Sequence, residues 1–203
     1  MTTQATIGNT SATNALFRTL EENRRGGAVG VYSICSANRY VLEAGMLQAA
    51  RDSQLLLIES SSNQVNQLGG YSGQTPASFA AFVREVARGM NFPAARIVLG
   101  GDHLGPHVWR NESPHAAMAK ARELVRDCVR AGYTKIHLDA SMHLAGDPGE
   151  RHRPLADELV SARAAELCQT AEEAHRELPE GSPGALQRLA RRYSGFFLQS
   201  LST

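Results

Sequence analysis

Residues 96–106 read RIVLGGDHLGP, an aliphatic run that stops on two glycines, an aspartate and a histidine. Short runs of β-branched and aliphatic residues specify a strand covered on both faces. An acid and an imidazole at its end cost desolvation unless they are solvated, paired or metal-bound, so Asp102 and His103 mark either a polar strand-end loop or a working site. Three other segments share this plan: AVGVYSICS from Ala28, QLLLIESSS from Gln54 and TKIHLDAS from Thr134. Each ends in small or polar residues.

Helical patterns separate these strands. Thr75-Pro76 and Ser113-Pro114 read as N-cap and first-turn pairs opening PASFAAFVREVARGM and PHAAMAKARELVRDCVRAG, with Phe79, Phe82, Val83 and Val86 forming the core face of the first. Gly132 stands where a left-handed C-cap belongs. NRYVLEAGMLQAARDS follows the first strand and DELVSARAAELCQTAEEAHREL follows the fourth.

Repeated βα units require a parallel sheet, either open and doubly wound or closed into a barrel. Neither G-x-G-x-x-G after the first strand nor a Walker-type phosphate loop is present, which takes support from the nucleotide-binding open sheets. In barrels, chemistry gathers at the C-terminal ends of the strands, where this chain puts its polar residues. The expected fold is therefore α/β, of the (β/α)8 TIM-barrel type, with the first four to five βα units present.

The chain has 203 residues and a formal net charge of +1, suiting one globular domain and lacking the basic footprint of a nucleic-acid binder. No apolar stretch is long enough to cross a membrane and the first residues lack the pattern of a secretory signal, so the expected setting is cytoplasmic. Cys35, Cys128 and Cys168 are far apart, without a CxxC pair, and favour neither a disulfide framework nor a zinc ribbon. Cys128 and Cys168 read as small core residues on helices.

Period-two counting puts Glu59 on one strand face with Leu55 and Leu57, and Asp139 on one face with His137 and Ser141. Carboxylates at a barrel mouth serve acid–base chemistry or form a buried network of fixed protonation; the residues leave both open. Asp102, Glu59 and Asp139 are thus the catalytic candidates, and His103 the candidate metal ligand. The polar loop SSSNQVNQLGGYSGQT, 60–75, offers Ser61, Asn63, Gln64 and Asn66 for hydroxyls or phosphate, with Ser141 as a further candidate, or is a solvated turn. Gly146-Asp147-Pro148-Gly149 reads as turn chemistry.

Taken together, ESSSNQVNQLGGYSGQTPASFAAFV, RIVLGGDHLGP, AGYTKIHLDASMHLAGDP and GVYSICSANRYVLEAGM resemble the GatZ and KbaZ subunits of D-tagatose-1,6-bisphosphate aldolase, from about residue 17 to about residue 175. The resemblance implies a TIM barrel of the class II aldolase group, in bacterial catabolism of galactitol, N-acetylgalactosamine or related sugars. It implies an accessory, non-catalytic subunit that stabilises a catalytic Y-type partner and supports its activity. Some relatives are metal-dependent epimerases of ketoses, so the alternative is a metal-dependent aldolase or epimerase acting on phosphorylated ketoses. By motif match, Asp102 takes the proton-transferring role and His103 binds Zn2+, with the other ligands expected from later strands. That leaves an incomplete ligand set here.

After ELCQTAEEAHRELPEGSPG the family pattern leads to a fifth strand, whereas this chain continues as ALQRLARRYSGFFLQSLST. The expected organisation is a barrel portion over residues 1–184 and a tail over 185–203 that does not match the family. Open strand edges predict self-association or a partner subunit. No nucleic acid and no membrane are expected as partners.

Overall fold

A computed structural model of the chain describes residues 10–179. The tail and the boundary at 184/185 lie outside the described residues. Four strands, β1 (Ser33–Cys35), β2 (Leu56–Ser61), β3 (Ile97–Leu104) and β4 (Lys135–Leu138), form one parallel sheet in the order β1-β2-β3-β4. Helices α2 (Arg39–Arg51), α3 (Pro76–Gly89) and α4 (Pro114–Arg130) connect them; α1 (Thr10–Arg24) precedes the sheet and α5 (Asp157–Arg176) follows it. Strand order that follows chain order, without the reversal that makes a switch point, is the topology of a barrel and not of a doubly wound sheet.

Helix boundaries follow local chemistry. The Asn38 side chain caps α2 by accepting from the Tyr40 and Val41 amides at 2.9 and 3.4 Å. Thr75 and Ser78 form a reciprocal capping box ahead of Pro76, and Ser113 accepts from the Ala116 amide ahead of Pro114. Gly132, at φ +91°, makes the expected left-handed exit from α4.

Alternation along the strands separates two faces. The outward residues Leu56, Ile58, Ile97 and Leu99 pack with Leu42 and Met46 of α2, Phe79, Val83 and Val86 of α3, Leu124 and Cys128 of α4 and Leu167 of α5 in one core cluster. All four of these helices therefore cover the same face. Phe82, expected in this core, is only partly buried at its edge. On the inner face Leu57 and Val98 pack against Ala12 and Leu16 of α1, which covers the N-terminal end of that face.

The first strand is shorter than AVGVYSICS predicts, since only Ser33–Cys35 pairs with β2. Cys128 is buried as expected, whereas Cys168 is partly exposed. No helix among the described residues is long and apolar enough to cross a membrane.

Candidate cation site at the strand ends

Inner-face residues above α1 form polar layers. Cys35, Glu59, Gly100 and Lys135 are successive partners across the four strands. Glu59 and Lys135 bond directly across Gly100, and the Ser33 hydroxyl donates to the second Glu59 oxygen. A Cβ at Gly100 would lie 3.0 Å from Glu59 Cγ and Oε1 and 3.1 Å from Lys135 Cδ, so the ion pair occupies the space a side chain would take. The Glu59 side chain is 7% exposed, with both carboxylate oxygens bonded within the sheet.

Above this layer the β3–β4 register shifts between Gly101 and Leu104, and His103 takes a positive φ of +50°. Neighbouring strand residues normally face opposite ways; the irregularity and the left-handed residue bring Asp102 and His103 together on the inner side. Asp102 Oδ1 lies 3.2 Å from His103 Nδ1 and 2.9 Å from His137 Nδ1, and the two rings meet edge-on with centroids 4.5 Å apart. Burial pushes the Asp102 carboxyl up, but hydrogen bonds from His137 and His103, with the charges of His103 and Lys135, hold it below the usual carboxylate range. The His103 amide also donates to His137 Nδ1 at 3.4 Å, so Asp102 Oδ1 and the two Nδ1 atoms lie together at the end of β3 and β4.

One donor atom from each of Asp102, His103 and His137 lies within 4.8 Å of the others. Imidazole nitrogens with a carboxylate oxygen suit a divalent cation such as zinc, and three protein donors are what an open site requires. Beside Asp102 and His103, which the sequence singled out, His137 from β4 is a further candidate donor. Its position in KIHLDAS, on an inward-facing register, was the available signal.

The other candidates are distributed around this cluster. Gln64 and Asn66 are buried: Gln64 Oε1 accepts from the Ser61 amide and its Nε2 donates to Cys35 O on β1, while Asn66 Oδ1 accepts from the Leu68 and Gly70 amides of its own loop. Ser61 is half-buried at the end of β2, in register with Asp102, and Asn63 is exposed. Asp139 accepts from the Ser141 amide and hydroxyl at 2.9 and 2.6 Å, and neither belongs to the cation cluster. Cys35 is exposed, yet desolvation, then the Asp102 carboxylate and Glu59, push its thiol up to about 11.

Asp147 exceeds its expected turn role. Its carboxylate takes both Arg163 guanidinium nitrogens, at 2.9 and 2.5 Å, and the Leu144 amide at 2.8 Å, tying the loop after β4 to α5. The loop that follows the cation cluster is thereby fixed.

The fold and this cluster define a barrel-type α/β chain with a polar His/Asp cluster at its strand ends. A sequence model of the "D-tagatose-1,6-bisphosphate aldolase subunit GatZ/KbaZ-like" family matches residues 16–185, and the chain belongs to that family. It is 50% identical over 153 residues to subunit GatZ of D-tagatose-1,6-bisphosphate aldolase from Escherichia coli strain K12, covering 75% of this chain and 36% of that protein. The GatZ relative from Shigella boydii serotype 18 gives the same identity and coverage. A crystal structure of a probable tagatose 6 phosphate kinase from Sinorhizobium meliloti 1021 superposes with a TM-score of 0.68 at 48% identity, over 71% of this chain and 36% of that one. The chain thus spans about a third of the length of the curated relatives it matches.

Proposed function

We propose that this chain acts as the accessory subunit of a D-tagatose-1,6-bisphosphate aldolase, supporting the stability and activity of a catalytic Y-type partner in carbohydrate catabolism. The observation that carries this reading is its 50% identity to GatZ subunits over 153 residues. Self-association is the competing arrangement for the strand edges left unpaired among the described residues. The test is co-expression with a catalytic subunit, measuring aldol-cleavage rate and the half-life of that activity on heating. The accessory reading expects a longer half-life with the chain present and no cleavage by the chain alone. An unchanged half-life refutes it.

The alternative, a metal-dependent aldolase or epimerase of phosphorylated ketoses, is favoured by the donor cluster. In this reading His103, His137 and Asp102 hold Zn2+, which when bound supplies a Lewis acid for a carbonyl oxygen. Ser61, Asn63 and Ser141 are the side chains offered to the sugar or its phosphate, with Gln64 and Asn66 holding the loop around them. Asp139 and Glu59 stay in supporting positions. Cleavage or epimerisation by the chain alone, lost in His103→Ala, would establish this second reading over the first.

A further inference from the structure

Lys135 lies on β4 one layer below the Asp102–His103–His137 cluster. Besides bonding Glu59, its ammonium is 3.4 Å from Gly101 O and 4.0 Å from Asp102 Oδ1. Its side chain is 20% exposed and that of Glu59 is 7% exposed. A pair this desolvated contributes little net stability relative to apolar residues of similar volume. Here the sheet also leaves β3 without a side chain at Gly100 so that the pair can form. The arrangement places one fixed cation under the carboxylate that a divalent ion would need.

We propose that Lys135 is a positioning residue for the cation site: Glu59 holds its ammonium below Asp102, and the balance between those two carboxylates sets how tightly a divalent cation is held. This rests on the cation reading of the cluster given above. Glu59 draws the ammonium down and keeps Asp102 open to the entering ion. Without Glu59, the ammonium moves onto Asp102 and competes with that ion. Without both Glu59 and Lys135, the competitor is gone and no carboxylate is left buried and unpaired.

The experiment is Co2+ binding by isothermal titration to the intact chain, with circular dichroism confirming that each variant is folded. Glu59→Gln is expected to bind about tenfold more weakly than wild type, equivalent to about 1.4 kcal/mol. Adding Lys135→Met to Glu59→Gln is expected to recover at least that factor. Restoration of affinity by a second core substitution is a result that a merely structural role does not give. A double variant that binds no better than Glu59→Gln, or three proteins that bind alike, overturns the proposal while leaving the cation site standing. Absence of Co2+ binding in the wild type overturns the cation reading and this proposal with it.

Discussion

Substituting Asp147 by Asn should destabilise the chain far more than a turn residue ordinarily would. The Asp147 and Arg163 side chains are 2% and 6% exposed and share two hydrogen bonds, so neutralising the acid leaves a guanidinium charge buried without a counter-charge. Breaking one partner of a buried pair costs about 3–5 kcal/mol. At about 2–4 °C per kcal/mol for a chain of this size, Tm should fall by about 6–20 °C, measured by circular dichroism. Replacing both residues by apolar ones, Asp147→Leu with Arg163→Met, should recover most of that loss. The pair also sets a pH dependence. Burial raises the Asp147 carboxyl, but Arg163 and the Leu144 amide hold it below the usual carboxylate range. A folded-state pKa below the unfolded value means the contribution is present above about pH 3.9 and is lost as pH falls through the folded value. Asp147→Asn should remove that part of the acid dependence. A single variant costing less than about 1 kcal/mol would refute the buried-pair argument.

Three other outcomes follow from the same geometry. His103→Gly should be more stable than His103→Ala by about 1 kcal/mol in urea unfolding, because only glycine takes φ +50° without strain; equal stabilities would contradict the left-handed assignment. Gly100→Ala should cost about 1–3 kcal/mol by the same measurement, since its methyl enters the space of the Glu59–Lys135 pair. Cys35, with its thiol pushed up to about 11, should alkylate at pH 8 more slowly than an unperturbed thiol despite its exposure, as read by mass spectrometry of the modified peptide.

The sheet was legible in the sequence because each strand carries an aliphatic run closed by small or polar residues, and because Thr75-Pro76, Ser113-Pro114 and Gly132 mark helix ends chemically. Strand β1 was overcalled because residues 28–32 have strand composition but do not pair with β2. Helix α1 was missed because what defines it is tertiary: Ala12 and Leu16 meet Leu57 and Val98 on the inner face. For the site, Asp102 and His103 stood out as a sequence-adjacent pair. His137 was legible only as a residue on the face of Asp139 and Ser141; its partnership with Asp102 depends on the β3–β4 irregularity. Lys135 was hidden, since its partner is two strands away and the residue between them is a glycine.

The most direct test of the central claim is the zinc content of the purified chain by plasma mass spectrometry, beside His103→Ala and His137→Ala. About one zinc per chain, lost in both variants, is the predicted result for an open site with three protein donors. A wild-type chain without zinc, or zinc retained when His137 is removed, would contradict it.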